Sequence, residues 1–291
     1  MLFKGSGVAL ITPFNEQLEV DFNMLKKLIL WHIKMKTDAL IICGTTAESA
    51  TLTTKEKKQI LAFAVDVSNH QIPIIGGTGS NNTAQSIELS LYAKAIGVDG
   101  LLLVTPYYNK PTQRGLIAHY KAIASSVDLP IILYNVPSRT GVNLEVETVV
   151  ELSKVKNIVA IKEASHDINQ IKKIIEQTPN DFAVYSGNDD QTVAINQLGG
   201  QGIISVTANI LPTLVHTLAT TNHCDKNLDQ INQVLFIESN PVPVKAALNY
   251  LGFNVGSVRL PLVELTEEHN KILIDALNAF GLKENDYADF N

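Results

Sequence analysis

The sequence predicts an eight-stranded (β/α)8 barrel followed by a small helical unit. Eight short apolar runs recur before residue 207, and their ends lie 21 to 32 residues apart. That spacing is close to the roughly 30 residues that one βα unit needs. The runs are continuous rather than alternating, which is typical of parallel strands covered on both faces. Stretches with helical apolar spacing separate the runs.

The apolar runs give the predicted strands, which are Val8–Ile11, Ala39–Cys43, Ile72–Ile75, Leu101–Val104, Ile131–Tyr134, Ile158–Ile161, Phe182–Tyr185 and Gly202–Val206. The predicted helices between them include Phe22–Lys36, Thr54–Asn69, Asn82–Ala95 and Gln113–Ser126. Eight strands that are each followed by a helix can close into a barrel. A doubly wound sheet fits less well, because no Gly-x-Gly-x-x-Gly motif follows the first run.

After the eighth run the pattern changes to helices alone, predicted over Pro212–Thr220, Asp225–Ser239, Pro243–Leu251 and Thr266–Phe280. We therefore divide the chain into a catalytic barrel, residues 1–224, and a helical unit, residues 225–291, that packs on it. Within this unit, Asn240–Lys245 reads Asn-Pro-Val-Pro-Val-Lys, a helix entry with proline near its first position. We expect Lys245 to be structural.

Composition excludes several functional classes. The net charge of −6 indicates no basic surface for nucleic acid. The longest apolar runs are too short to span a bilayer, so no membrane association is predicted. Met1 stands almost directly before the first strand, leaving no room for a secretory signal. Cys43 and Cys224 offer no disulfide framework, and a cytoplasmic location is predicted.

Lys162 stands at the carboxyl end of the sixth run, Ile158–Ile161. Burial disfavours an ammonium and frees an amine's lone pair for attack on a carbonyl. A strand-end lysine can instead reach out to water along its apolar stem. Catalytic groups of a barrel gather at the carboxyl ends of its strands, and this position favours a nucleophile that forms an imine with a ketone.

The loops that follow other strands supply partners for this lysine. Tyr134 could act as acid and base, and hydroxyls of Thr45 and Tyr108 could pass its proton toward solvent. The Gly44–Thr46 turn offers N–H groups and hydroxyls to one carboxylate. Arg139 could hold a second carboxylate through its bidentate fork. The histidines are scattered and show no metal-ligand spacing, so neither a metal nor a cofactor is predicted.

Other residues near the strand ends are expected to be structural or to point away from the site. Glu163 follows Lys162 and should face away from the barrel axis, into packing or a helix-side ion pair. For the same reason Tyr107 and Tyr108 cannot both face the site, and one should point outward or into a neighbouring subunit. Glu48 is expected to cap the segment that follows it. Cys43 is expected to be a core residue.

These residues resemble the pyruvate-dependent class I aldolases and lyases related to N-acetylneuraminate lyase. The resemblance runs almost end to end, and its most specific motifs are Gly44–Leu52, Thr105–Asn109, Tyr134–Gly141, Ile161–Ser165 and Asn240–Lys245. It implies a barrel enzyme that needs no cofactor, because pyruvate itself is held as an imine. It also implies a homo-oligomer, commonly a tetramer built from two tight dimers.

The resemblance assigns roles to particular residues. Lys162 would form the Schiff base with pyruvate, and Tyr134 would donate and accept protons. Thr45 and Tyr108 would complete a proton relay, with Tyr108 lent across the tight dimer interface.

Four more residues would bind the substrates. Thr46, Gly187 and the backbone at Ile204 would contact pyruvate, and Arg139 would receive the carboxylate of L-aspartate 4-semialdehyde. The implied activity is a lyase step in lysine and diaminopimelate synthesis, the condensation of these two substrates.

The chain departs from the family pattern at two places. Ala47 replaces a glycine that many members have in the first motif. Thr54, Lys57 and Gln85 stand where members inhibited by lysine have histidines and an acidic residue. A lysine ammonium would there lose a charged partner and meet a cation. We therefore predict weak or absent inhibition by lysine, measurable as activity at submillimolar lysine.

Two alternatives remain open at this point. A sister aldolase would cleave N-acetylneuraminate or a 2-keto-3-deoxy sugar acid at the same lysine. Arg139 favours a short acceptor that carries a carboxylate, since the sugar-cleaving relatives usually lack arginine in this motif. A barrel without catalytic activity could instead bind a keto acid as a sensor or structural subunit.

Overall fold

The computed structural model describes residues 2–224 and 226–290. Eight parallel strands form a closed barrel in chain order, and the last strand pairs with the first. The strands are β1 Gly5–Ala9, β2 Ala39–Ile42, β3 Ile74–Gly77, β4 Gly100–Val104, β5 Ile131–Asn135, β6 Ile158–Glu163, β7 Ala183–Ser186 and β8 Gly202–Ser205. The predicted barrel is confirmed.

The helices follow the predicted order. They are α1 Phe22–Lys34, α2 Thr54–Ser68, α3 Thr83–Ala95, α4 Gln113–Ser126, α5 Pro137–Thr140, α6 Val146–Leu152, α7 Ile168–Gln177, α8 Thr192–Gln197, α9 Pro212–Thr221, α10 Asp229–Val234, α11 Val242–Tyr250 and α12 Glu267–Phe280. In residues 2–224 and 226–290, no helix combines the length and apolarity needed to cross a membrane.

The C-terminal helices are shorter than predicted at one place. The helix expected over Asp225–Ser239 is confined to α10, six residues long. Asp225, where we placed both this helix and the boundary between the two units, lies outside the described residues. The helices α10 and α11 both pack on α12. The division into two units stays a prediction.

Strand boundaries differ where glycine contributes to the sheet. We predicted the first strand at Val8–Ile11, but β1 begins at Gly5, which pairs with Gly202. A glycine adds no apolar signal, although its backbone hydrogen-bonds like any other. The third strand is likewise shifted to include Gly77, where a Cβ would collide with the Cys43 carbonyl oxygen. Apolar runs therefore report burial better than they report pairing.

The core has two layers. A large apolar cluster lies between the strands and the helices, and a smaller one fills the barrel. Inside the barrel Phe3 stacks on Tyr185 with ring centroids 4.4 Å apart, and the Tyr185 hydroxyl donates to the Phe3 carbonyl at 2.6 Å. Because Phe3 precedes β1, it fills the amino-terminal end of the barrel. The other end carries the loops described below.

Candidate active site

The register of three strands brings Lys162 and Tyr134 together. Tyr134 on β5 pairs with Lys162 on β6, which pairs with Tyr185 on β7. Residues in register on neighbouring strands point to the same face of the sheet. Lys162 is only 5% exposed, and its Nζ lies 4.5 Å from the centroid of the Tyr134 ring. A buried amine thus faces a buried phenol inside the barrel.

The next register row faces the helices instead. Glu163 is fully buried, and both of its oxygens accept from Asn135 Nδ2 at 3.1 Å. The backbone N–H of Ser165 donates to the same carboxylate at 2.8 Å. Burial raises the pKa of Glu163. The expected outward direction is confirmed, but the helix-side ion pair is wrong, because amide groups rather than a cation bind this carboxylate.

A buried carboxylate that we did not single out lies near the lysine. Asp189 follows β7, accepts a short hydrogen bond from the Ser205 hydroxyl and accepts from the Val206 N–H at 3.0 Å. Burial raises the pKa of Asp189, while these hydrogen bonds and the charge of Lys162 lower it. An aspartate just after a strand at the barrel mouth was the available sequence signal.

Gly187 leaves room for the lysine. A Cβ at this position would lie 3.1 Å from Lys162 Cε and 2.7 Å from Ala164 Cβ. Any larger residue would therefore press on the lysine side chain. The structure places Gly187 beside Lys162, and its role as a substrate contact stays a prediction.

A cavity of about 320 Å³ opens at the carboxyl end of the strands. Thr45, Tyr134 and Arg139 line it. Tyr134 also contacts Lys162, so this ring links the cavity wall to the lysine. Arg139 lies exposed on the short helix α5, which directly follows β5. A guanidinium at this rim can hold an anion that enters the cavity.

The turn after β2 carries the two threonines in different environments. Thr45 is half-buried and lines the cavity, whereas Thr46 is 2% exposed. The Thr46 Oγ1 accepts from Asn240 Nδ2 at 2.9 Å, across 194 residues of sequence. Asn240 itself lines the cavity. We had placed Asn240 in a helix entry and in a motif of the family resemblance, and nothing local in the sequence relates it to Thr46.

The two tyrosines after β4 separate as expected. Tyr107 lines the cavity and is 40% exposed, whereas Tyr108 is 90% exposed. Tyr108 has a φ of 72°, a strained value for a bulky residue. The side chain of Asn81 supports this loop by donating to the Tyr107 carbonyl at 3.2 Å. Tyr107 is therefore a cavity residue that we did not predict. Tyr108 does not line the cavity of its own chain.

Ile204 lies deeper than the cavity wall. It is fully buried in the inner layer of the barrel, on β8, opposite Gly7 of β1. The structure therefore places Ile204 on the strand that closes the barrel. Contact between its backbone and a substrate stays a prediction.

A buried ion pair joins the turn after β2 to the helical unit. Lys245 Nζ donates to Glu48 Oε1 at 3.0 Å and to the Ser257 carbonyl at 2.5 Å. The other oxygen of Glu48 accepts from the Arg259 N–H at 2.9 Å. The expected structural role of Lys245 is confirmed. The expected capping role of Glu48 is wrong, because its carboxylate is occupied by the C-terminal unit.

Two further cavity residues bear on reactivity and regulation. Burial raises the pKa of the Cys43 thiol to about 12, which agrees with a core residue rather than a nucleophile. Lys57 is half-buried in the cavity wall, and burial lowers the pKa of its ammonium. Thr54 and Gln85 are exposed. Weak inhibition by lysine stays a prediction.

Among residues 2–224 and 226–290, no cluster of three or more His, Cys, Asp or Glu could hold a metal ion.

Comparison with known proteins agrees with this architecture. A model of the dihydrodipicolinate synthetase family matches residues 2–280. The 4-hydroxy-tetrahydrodipicolinate synthase of Thermoanaerobacter sp. (strain X514) is 52% identical over 291 residues, covering 97% of this chain and 98% of that protein. The predicted resemblance is confirmed.

Solved structures match equally well. The crystal structure of dihydrodipicolinate synthase from Aquifex aeolicus has a TM-score of 0.93 at 42% identity, covering 97% of this chain and 99% of that chain. A structure described as a monomeric dihydrodipicolinate synthase variant has a TM-score of 0.93 at 40% identity, covering 97% and 98%.

Proposed function

The chain belongs to the dihydrodipicolinate synthetase family, and from this premise we propose that it condenses pyruvate with L-aspartate 4-semialdehyde. It is a lyase of lysine and diaminopimelate synthesis, and its product is 4-hydroxy-tetrahydrodipicolinate. One observation carries the proposal for the chemistry. A buried lysine faces a buried tyrosine beneath a cavity that also presents an arginine.

The reaction begins at Lys162. Its amine attacks the ketone carbon of pyruvate, water leaves, and a protonated imine forms. This imine withdraws electrons from the pyruvate methyl group, which loses a proton to give an enamine. Tyr134 is the acid and base for these transfers, because its ring already lies against the lysine amine. No cofactor is required, since the imine itself is the electron sink.

The enamine carbon then attacks the aldehyde carbon of the second substrate. The aldehyde oxygen takes up a proton and becomes the 4-hydroxyl group. The amino group of that substrate attacks the imine carbon, closes the ring and releases the Lys162 amine. One molecule of water is lost for each product formed, so atoms balance over the cycle.

The two carboxylates are held at different places. The turn that carries Thr45 and Thr46 receives the pyruvate carboxylate, with Gly187 and the Ile204 backbone completing the contacts. Arg139 receives the carboxylate of the aldehyde. Its place on the exposed rim of the cavity supports this role, because the pyruvate bound to Lys162 would lie deeper.

Tyr108 acts in a partner subunit. Tyr108 is 90% exposed and has a positive φ, which is unusual for a large aromatic residue. Both features are explained if a second copy of the chain covers this side chain. The Tyr108 hydroxyl then joins Thr45 of that copy in the proton relay. The working enzyme is then a homo-oligomer with a tight dimer as its smallest unit, and a tetramer of two such dimers is the proposed assembly. Its place of action is the cytoplasm.

A paired assay tests the proposal. Pyruvate with L-aspartate 4-semialdehyde should give turnover, and N-acetylneuraminate should give none under the same conditions. The aldehyde acceptor separates the two activities, because the cavity presents Arg139 to a short anionic substrate. Cleavage of N-acetylneuraminate without condensation would reassign the chain to the sugar-cleaving relatives.

A further inference from the structure

Asn240 makes a contact that the proposed function does not yet use. It lies just before α11, in the helical C-terminal part of the chain, yet it lines the cavity and is only 6% exposed. Its Nδ2 donates to Thr46 Oγ1 at 2.9 Å. The C-terminal unit thus contributes to the barrel mouth, where Asn240, Pro241, Pro261 and Leu262 line the cavity and Asn240 supplies an amide.

The contact determines whether the Thr46 hydroxyl donates or accepts a hydrogen bond toward a ligand. A hydroxyl has one hydrogen and two acceptor lone pairs, whereas an amide NH₂ can only donate. Asn240 therefore occupies a lone pair of Thr46 and leaves the hydroxyl hydrogen unused. No acceptor for that hydrogen is found in residues 2–224 and 226–290. A carboxylate bound at the Thr45–Thr46 turn would supply one.

The other end of the amide argues against a purely structural contact. Asn240 Oδ1 is buried and has no hydrogen-bond partner among the described residues. Leaving a buried carbonyl oxygen unsatisfied destabilises the folded protein. A contact present only for stability would be better served by an apolar residue, so the amide is explained by what its nitrogen does for Thr46.

A second contact anchors the part of the chain that carries the Asn240 amide. Lys245, one turn further into α11, forms the buried ion pair with Glu48, two residues after Thr46. The turn after β2 is therefore bound at two points, once by α11 and once by the segment just before it. A site whose backbone is anchored before the ligand arrives loses little freedom on binding, which favours tight positioning.

We propose that Asn240 is a positioning residue, which orients the Thr46 hydroxyl so that its hydrogen points at the carboxylate of the keto acid bound to Lys162. This inference rests on the proposed function. Without the amide the Thr46 hydroxyl can rotate, and the enzyme binds pyruvate more weakly in the ground state. The second substrate, held by Arg139, is bound elsewhere and keeps its affinity.

Kinetics of Asn240→Ala test the inference. A hydrogen bond to a charged group contributes enough that KM for pyruvate should rise by roughly tenfold. KM for the aldehyde and kcat should stay within about threefold of the unaltered enzyme. The matched control is Asn249→Ala, because Asn249 lies exposed on α11 and its side chain, among the described residues, bonds to the Val255 and Gly256 backbone and not to the cavity wall.

A double-mutant cycle separates positioning from stability. Thr46→Val should raise KM for pyruvate by itself, and adding Asn240→Ala to that background should raise it no further. Additive effects, or equal losses in Asn240→Ala and Asn249→Ala, would overturn the inference. If Asn240→Ala does not fold, Asn240→Ser replaces it, since its shorter side chain retains a polar group while not reaching Thr46.

The two proposals fail in different ways. Unaltered enzyme that forms no pyruvate adduct on borohydride reduction contradicts the proposed function, and the inference falls with it. Unaltered enzyme that forms the adduct, together with an Asn240→Ala variant that forms it at the same pyruvate concentrations, contradicts the inference alone.

Discussion

The barrel mouth and the junction with the helical unit each bury a lysine, but they treat it differently. Lys245 at the junction is 1% exposed, binds Glu48 and the Ser257 carbonyl, and lies 4.2 Å from the Phe14 ring centroid. Lys162 at the mouth is 5% exposed, and within residues 2–224 and 226–290 its Nζ makes no hydrogen bond or ion pair. Both lysines are buried, but only the Lys245 ammonium is bound by hydrogen-bond acceptors.

The difference decides which lysine can react. Burial lowers the pKa of Lys245 to about 8, while Glu48 raises it by charge and hydrogen bonding. Its amine is fully committed to acceptors, and no substrate could displace them without exposing the carboxylate of Glu48. Lys162 faces a phenol ring that leaves its nitrogen free to bond a carbonyl carbon. A buried lysine is therefore a nucleophile only where its surroundings leave it unpaired.

Replacing the mouth lysine should have the largest effect. Lys162→Ala removes the imine, so the condensation rate should fall by roughly a thousandfold or more. The melting temperature should stay the same or rise, because an unpaired buried amine is costly. Coupled assays and thermal denaturation measure the two. Residual activity within tenfold of the unaltered enzyme would contradict the comparison.

Replacing the junction lysine should affect stability first. Lys245→Met leaves Glu48 buried without its cation, and the free energy of unfolding should fall by about 3–5 kcal/mol. Guanidinium denaturation measures the loss. The matched variant Lys162→Met should show no such loss. Adding Glu48→Gln to Lys245→Met should recover most of the stability, and failure to recover would mean that the ion pair is not what the junction needs.

The sequence predicted the barrel and the proximity of Lys162 and Tyr134 because both follow from local patterns. Spacing of apolar runs gave the strands, and the carboxyl-end rule for barrels placed Lys162 and Tyr134 at one mouth. Register then put them on the same face, which needs only that neighbouring strands pair in order. The outward direction of Glu163 followed from the alternation along one strand.

Long-range contacts were beyond the sequence. Thr46 meets Asn240 and Glu48 meets Lys245 across 194 and 197 residues, respectively. No periodicity along the chain encodes such pairs, because they depend on how the helical unit seats on the barrel. Asp189 was visible as a mouth residue, but its proximity to Lys162 required the structure. The role of Glu48 was therefore wrongly predicted, because its partner Lys245 is distant in sequence.

Replacing Arg139 at the cavity rim tests the contrast between the two regions through substrate affinity. Arg139→Ala should raise KM for L-aspartate 4-semialdehyde by roughly ten- to a hundredfold, the size expected for a charged hydrogen bond. Formation of the pyruvate adduct should be unchanged, because Lys162 lies below the rim. Arg139→Lys should recover part of the affinity. Steady-state kinetics with each substrate varied in turn measure this, and a loss confined to pyruvate would be contrary to it.

His32 on α1 shows a third way to bury a basic group, by keeping it neutral. Burial lowers its pKa to about 3, from 6.5. Between these values the unfolded chain binds a proton that the folded chain does not, so stability falls as pH falls, by about 1.4 kcal/mol per unit.

The matched variant is His32→Asn, which keeps a partner for the Thr37 hydroxyl that now lies 2.8 Å from His32 Nδ1. Its drop in unfolding free energy between pH 7 and pH 5 should be about 2 kcal/mol smaller than that of the unaltered protein. Denaturation curves at the two pH values measure it. Equal drops in the two proteins would show that His32 does not control acid stability.

The most direct test of the comparison asks which buried lysine carries pyruvate. The protein is incubated with pyruvate, reduced with borohydride, digested and mapped by mass spectrometry. We expect one adduct, on the peptide containing Lys162, retained in Lys245→Met and absent from Lys162→Ala. An adduct on Lys245, or one that survives in Lys162→Ala, would contradict the claim that the unpaired lysine is the nucleophile.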